Sequence, residues 1–287
     1  GGTGEVTLSG KKITIVKAGT VTLKASVVES ATFEAAEKEI TLTIAKKAIT
    51  ITADAISKVY GEDDPTLTYE ITTGSLATDD VLSGTLNRTA GETVGEYAIS
   101  STLANANYDI TFVSADLSIT QKAITITANA ISKVYGATDP TLTYEITTGS
   151  LETDDVLSGT LSRATGEDVG DYAISSTLAN ANYAITFVSA DFTITKASQT
   201  ITFNSLVHTD DIFDLTATSS SGLAISYTSS NTGVATISGN TVTVLSAGTT
   251  TIMASQAGNT NYEAATSVTQ ELTITALGVK DGELRSE

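Results

Sequence analysis

The chain has 287 residues, more than one typical small domain holds, and domain sizes point to about two to four modules. Its 15 Lys and Arg against 33 Asp and Glu give a formal net charge of −18, which repels phosphate backbones and anionic membrane surfaces, so neither nucleic acid nor lipid is expected as a partner. The absence of cysteine removes disulfides, thiolate metal sites and thiol nucleophiles, and stability has to come from packed strands.

No apolar run approaches the roughly 18 residues of a membrane span, so no membrane insertion is expected. The opening GGTGEV has no basic region, no apolar export core and no Met, which reads as a piece of a longer chain. From Thr7 to Ala36 the sequence TLSGKKITIVKAGTVTLKASVVESATFEAA is strand-rich. Shifted by 229 positions it matches a later stretch at Thr7/Thr236, Gly10/Gly239, Ala18/Ala247, Gly19/Gly248, Ala25/Ala254 and Glu34/Glu263. Residues 1–46 therefore read as the back half of a module like 197–275, with an exposed core side and open strand edges.

Residues 47–121 return almost unchanged as 122–196: KAITITADAISKVYG from Lys47 becomes KAITITANAISKVYG from Lys122, with 13 differences in a period of 75. Solenoid repeats run roughly 20 to 50 residues, so this period is a whole small domain present twice. Within the first copy, strands are expected near 48–53, 66–72, 82–86, 96–101, 108–113 and 115–120. Ile49 and Ile51 alternate with Thr50 and Thr52, and Leu67, Tyr69 and Ile71 with Thr68 and Glu70, giving one buried and one wet face. Gly61 and Gly136, after Tyr in VYG, suit a positive φ. Pro65 and Pro140 suit a bend before the next strand. Thr78 and Thr153 are placed to cap a single helical turn carrying Asp79-Asp80 and Asp154-Asp155.

The copies meet in LSITQKAITIT, residues 117 to 127, where two alternating runs follow each other without Gly, Pro, Asn or Asp. About two residues separate the strands, too few for a flexible coil. The joins Ala45-Lys46-Lys47 and Lys196-Ala197-Ser198-Gln199 are built alike. Modules joined so tightly are expected to form an extended, monomeric rod, with the negative charge opposing side-by-side association. Residues 197–275 are again strand-rich, and Gly239-Asn240 reads as a tight hairpin.

Little in the chain suggests catalysis. His208 is the only histidine, so a Ser-His-Asp set or a multi-histidine metal site lacks parts; we expect a surface loop residue there, and no enzyme. Paired acids across a cleft would serve a glycosidase, but small sandwiches offer little cleft. Asp63-Asp64, Asp79-Asp80, Asp154-Asp155 and Asp210-Asp211 supply hard oxygen ligands, so loop-bound calcium is the one cofactor to weigh. Capping and solubility explain the same acids. Ala137 and Thr138 replace Glu62 and Asp63 in the second copy, and no metal, cofactor-binding or catalytic residue is assigned. Asn-Ala-Asn-Tyr at 105–108 and 180–183, and Asn-Thr-Asn-Tyr at 259–262, are candidate sugar-binding tips. Asn also tolerates left-handed turns, and turns are the expectation.

Asp168-Val169-Gly170-Asp171-Tyr172-Ala173-Ile174 resembles the D-x-G-x-Y-x-C segment of immunoglobulin-like domains, which implies that Tyr172 forms a tyrosine corner, with Ile174 in place of the cysteine. In the first copy Tyr97 and Ile99 match and Thr93 stands at the Asp position. Through KVYGEDDPTLTYEIT, VGEYAIS and NYDITFVSADLSIT, and KVYGATDPTLTYEIT, VGDYAIS and NYAITFVSADFTIT, both copies are similar to the MBG domain of the YGX type, found in tandem in large bacterial surface proteins and adhesins. Residues 197–275 and the N-terminal half module resemble bacterial Ig-like repeats through AGTTTI and ASQAGNTNYEAA. The tail, 276–287, is similar to the linker that precedes type IX sorting domains in Bacteroidetes.

The fold expectation is all-β: tandem small, Ig-like β-sandwich modules in an extended rod, with a β-grasp-like repeat as the alternative. The resemblance implies a cell-surface or secreted protein, on the outer surface of a Gram-negative bacterium. Its expected role is a stalk whose partners are neighbouring domains of the same long chain. The alternative role is an adhesive module that grips a glycan or protein ligand with its loops.

Overall fold

The computed structural model describes residues 2–207 and 210–275. The expectations for His208 and for the tail 276–287 lie outside the described residues. Two compact units divide the chain: Gly1–Ile124 with Gly149–Leu157 and Ala179–Thr186, and Thr125–Thr148 with Ser158–Leu178 and Phe187–Glu287. The division runs through the second repeat and leaves each joint between modules whole within one unit.

The protein is all-β, built of tandem small sandwiches. No helix occurs among the described residues, which removes the β-grasp alternative, a fold that packs a helix across its sheet. In the first unit, Glu5–Ser9 and Lys12–Lys17 form a hairpin, and Gly19–Val27 pairs antiparallel with Ala36–Ile44. None of the apolar side chains of these four strands is fully buried. Ile15 is 61% exposed, whereas Val244, its counterpart 229 positions on, is 7% exposed beneath the extra strands of the C-terminal stretch.

Repeat 1 is a two-sheet sandwich. Lys47–Ala53 lies between parallel Tyr108–Val113 and antiparallel Tyr69–Thr73. Opposite, Asp116–Thr120 lies between parallel Ile56–Val59 and antiparallel Gly95–Ser101, with Leu86–Arg88 at the edge. The expected alternation holds, since Ile49, Ile51, Ile99, Leu117 and Ile119 are buried. Each such side chain contributes about 1.5–3 kcal/mol by leaving water.

Three details differ from the sequence reading. Ile56–Val59 is an additional strand, hidden because its inward residue is Lys58, 6% exposed; a charge on the buried face breaks the apolar alternation. The strand expected at 82–86 falls at Leu86–Arg88 instead, after Gly84, whose φ of 107 turns the chain. The expected helical turn after Thr78 and Thr153 is a β-turn: Asp80 N donates to Ala77 O at 3.2 Å, and Asp79 takes φ 70. Asp154 takes φ 71 in the second copy. Asp tolerates this left-handed conformation, and the turn aims the following acid inward.

In the second unit, Thr125–Ala128, the end of strand Lys122–Ala128, pairs antiparallel with Tyr144–Thr148. Asp191–Thr195 lies between Ile131–Val134 and Gly170–Ser176, with Leu161–Arg163 outermost. Phe192 fills the position of Leu117 and is equally buried. The C-terminal stretch packs Ile212–Asp214, Thr241–Val244 and Ala235–Ser238 as one sheet and Ser226–Ser229, Gly248–Ser255 and Val268–Ile274 as another. Phe203, Phe213, Val242, Ile252 and Leu272 belong to the core between them. The hairpin at Gly239-Asn240 is present, with Gly239 at φ 64.

Candidate functional site at the module joints

Where one module meets the next, the same side chain recurs. The first unit contains two such joints. At the first, Asn107 Oδ1 accepts the N–H of Ala18 at 3.1 Å, its Nδ2 donates to Val16 O at 3.3 Å, and its own carbonyl accepts the N–H of Lys47 at 2.9 Å. At the second, Asn182 Oδ1 accepts the N–H of Val94 at 3.1 Å and its carbonyl accepts the N–H of Lys122 at 3.0 Å. The second unit contains the third joint. There Asn261 Oδ1 accepts the N–H of Val169 at 2.9 Å, its Nδ2 donates to Asp168 at 2.8 Å, and its carbonyl accepts the N–H of Ala197 at 3.0 Å.

Each Asn is thus a clamp. Its side chain satisfies a backbone donor of the module before, while its main chain accepts from the first residue of its own. The clamp is held by the first Asn of its motif: Asn105, Asn180 and Asn259 each accept the N–H two residues on, at 2.9, 2.9 and 2.8 Å. This is the Asx-turn that makes the segment a turn. The tips considered for sugar binding are therefore turns, as expected, and all three are engaged in joints.

The last residue of the motif, Tyr, adds an aromatic contact. Tyr60, from the VYG of repeat 1, meets Tyr183 edge-on at 5.5 Å, and in the other unit Tyr135 meets Tyr262 at 5.4 Å. Such edge-to-face pairs contribute about 0.5–1.5 kcal/mol beyond their buried area. The φ expected to favour glycine after these tyrosines is found, at 85 for Gly61 and 82 for Gly136. At Gly61 a Cβ would also come within 2.3 Å of the Glu152 carboxylate. Glu152 in turn pairs with Lys122 at 2.5 Å.

The paired acids divide their labour. Asp80 accepts the hydroxyl of Tyr108 at 2.6 Å. Asp155 accepts two, from Tyr183 at 2.5 Å and from Tyr60 at 3.0 Å. Burial, and then the Asp155 carboxylate beside it, pushes Tyr183 up to about 12, and the same causes raise Tyr60. Asp79 and Asp154 stay at the turn positions. Asp63 and Asp210 are exposed, and Asp211 offers its carbonyl to Val244 N at 2.8 Å. Among the described residues, no three His, Asp or Glu side chains gather where they would hold a metal ion.

Asp64 belongs to a second feature, missed in the sequence. Lys58 Nζ reaches Asp64 at 2.7 Å and Glu92 at 2.6 Å, and Arg88 Nε binds Asp64 at 2.6 Å while its Nη2 binds Glu92. Repeat 2 rebuilds the network from Lys133, Asp139, Arg163 and Glu167 at 2.5–2.7 Å. Arg88 and then Lys58 hold the Asp64 carboxyl at about 2, below its ordinary 3.8, and Arg163 and Lys133 do the same for Asp139. The signal was available, because all four charges are identical in both copies while Glu62 and Asp63 between them change. The tyrosine corner is present in both: Tyr97 and Tyr172 donate to the carbonyls of Thr93 and Asp168 at 2.7 Å. An acid at that position is not needed, since the acceptor is main chain. Gly91 makes room for the corner, where a Cβ would lie 2.2 Å from the Tyr97 ring.

No curated protein matches the chain. The MBG domain (YGX type) family matches it twice, over residues 49–118 and 124–193, so the two repeats are similar, in tandem, to MBG domains.

Proposed function

We propose that the chain is a non-catalytic spacer: a stalk segment of a long cell-surface or secreted, adhesin-like bacterial protein, projecting or tethering another of its domains. The observation that carries this reading is the threefold Asn clamp. A joint with a single residue, Gln121, between strands Asp116–Thr120 and Lys122–Ala128, and with side-chain bonds across it, resists bending. Resistance to bending is what a spacer needs. The tandem MBG matches support the same role, since such repeats suit the extended regions of surface proteins.

In this proposal the flanking stretches are bacterial Ig-like modules. Export is by a type IX route and the protein sits on the outer surface of a Gram-negative cell. The chain is an extended monomer, kept from lateral association by its charge of −18. An adhesive role would need free loop tips, and the three Asn-x-Asn-Tyr loops are taken up in joints. Small-angle scattering is the test: modules of roughly 30 to 40 Å each predict a monomer with a maximum dimension of about 110 to 140 Å. A compact profile would overturn the spacer reading.

A further inference from the structure

The chain enters repeat 1 by strand Lys47–Ala53 and leaves it by strand Asp116–Thr120, which belong to opposite sheets. Each is nonetheless tied to the other end of the repeat. Lys47–Ala53 pairs parallel with Tyr108–Val113, and Ile56–Val59, which follows it, pairs parallel with Asp116–Thr120. Tyr108 stands opposite Lys47 and Leu117 opposite Ile56, so the offset is the same before and after both segments cross between the sheets. Residues 47–59 and 108–120 are therefore one parallel seam with a shared step in it. Its bonds run from the N–H of Lys47, donated to Asn107 O at 2.9 Å, to the N–H of Tyr60, donated to Thr120 O at 2.9 Å. Thr120 Oγ1 adds a bond to Lys58 O at 3.2 Å.

Direction decides what such a seam bears. In a parallel pair the start of one strand and the finish of the other lie at opposite ends, so a pull on the chain at Lys47 and Thr120 runs along the strands. The evenly spaced bonds of a parallel pair are then strained together. In an antiparallel pair the same two points would lie at one end, and the bonds would open one after another. The pull crosses from segment to segment through the seam rather than through residues 61–107. Ile56–Val59 is the edge strand of its sheet, and Lys58 fastens it by bonds to Asp64 and Glu92 at 2.7 and 2.6 Å.

In the second unit Ile131–Val134 and Asp191–Thr195 rebuild the later half of the seam, with Phe192 opposite Ile131. Tyr135 N–H closes it on Thr195 O at 2.8 Å, and Thr195 Oγ1 donates to Lys133 O at 3.2 Å. Among the described residues of 197–275, the entering chain makes one parallel bridge, Ala197 with Tyr262, and then pairs antiparallel. The seam belongs to the repeats.

We infer that each repeat is a tension lock: a pull along the chain loads the seam between its entering and leaving segments in shear, and the repeat holds until the whole seam ruptures. The spacer reading concerns shape and resistance to bending. The lock concerns tension, and a compact scattering profile would leave it standing.

The test pulls the same repeat in two directions within the full chain. The chain has no cysteine of its own, so pairs of introduced cysteines fix where single-molecule handles attach. Lys46→Cys with Gln121→Cys pulls along the seam. Asp63→Cys with Gln121→Cys pulls its near ends apart, because Asp63 follows the turn that Glu62 N closes on Val59 O at 3.1 Å, at the end where Gln121 lies. All three positions are exposed, so the core is untouched. Resistance to forced unfolding follows the unfolding barrier rather than equilibrium stability, so one fold is expected to answer differently in the two directions. The 46/121 chain should rupture at a force several-fold higher than the 63/121 chain. It should also release about 200 Å in a single step, the reach of one extended 75-residue period less its folded length. Equal forces in the two directions, a lower force along the seam, or a staircase of small releases in the 46/121 chain would each overturn the inference.

Discussion

Tyr60 and Tyr135 occupy the same place in two nearly identical repeats, yet only one of them uses its hydroxyl. Tyr60 donates to Asp155 at 3.0 Å, while Tyr135 makes its ring contact with Tyr262 and has no hydroxyl partner among the described residues. Tyr60→Phe therefore removes a hydrogen bond to a charged acceptor, a loss of about 1.5–3 kcal/mol where the group is buried. Asp155 keeps Tyr183 and Tyr60 is only half-buried, which brings the expected cost to about 1–2 kcal/mol. Tyr135→Phe removes nothing and is expected to stay within about 0.5 kcal/mol. Whole-chain melting averages over several modules and would blur the difference. The amide of Val94, held across the joint by Asn182 at 3.1 Å, reports local opening directly through hydrogen exchange. Its exchange should accelerate about 5- to 30-fold in Tyr60→Phe. The amide of Val169, held by Asn261, should change less than about twofold in Tyr135→Phe. Equal responses at the two joints would refute the assignment of Asp155 as a joint residue.

The charge network makes a similar contrast between neighbours. Asp64→Asn is expected to cost about 1 kcal/mol, discounted because that carboxylate is 42% exposed, and to lower the melting of its repeat by about 4–8 °C. Asp63→Asn should leave melting unchanged within about 0.5 kcal/mol. For acid stability, Asp64 and Asp139 are held at about 2 against an ordinary 3.8. Their contribution is full above the ordinary value and is lost as the pH falls through about 2; melts recorded at falling pH should decline across that window, and a flat response there would count against the network. For alkaline stability, Tyr183 is raised from 10.0 to about 12. The contribution is intact below the ordinary value and lost as the pH rises through about 12. Tyrosinate absorbance should show a late step that is absent from Tyr183→Phe.

The period of 75 residues, the alternation of AITIT and the turn at Gly239-Asn240 made the sandwiches legible, because each depends on local pattern and the pattern is undisturbed. Ile56–Val59 was not legible, because Lys58 sits where an apolar residue would mark the inner face, and it is tolerated there only through Asp64 and Glu92, six and thirty-four residues away. The turn at Asp79 was misassigned for a related reason: Thr-Asp-Asp is a sound helix start, and it is the demand of Tyr108 for an acceptor that selects the other conformation. The clamps were half legible. The recurrence of Asn-x-Asn-Tyr in modules that otherwise differ marked the segment, and the Asx-turn explained its first Asn. The role of the second Asn depends on an N–H of another module, roughly ninety residues away in sequence, which no local pattern carries.

The differences between the copies bear on how two near-identical neighbours keep their places. Leu117 and Phe192 exchange within the cores, both buried, so either core accepts its own version. Three of the other differences fall on joints. Ala77 becomes Glu152, which pairs with Lys122 and covers Gly61. Thr93 becomes Asp168, whose carboxylate accepts from Asn261. Gln121, which reaches Ala181 O at 3.0 Å, becomes Lys196. Moved to the first position, repeat 2 would set Glu152 against a joint that has no Gly61 to lie over. Moved to the second, repeat 1 would leave Lys122 without its carboxylate and Asn261 without Asp168. The cores make the repeats alike, and the joints make their order matter: identical neighbours are prone to exchange strands and misassemble, and contacts that fit only one sequence of modules oppose this without any change to the fold.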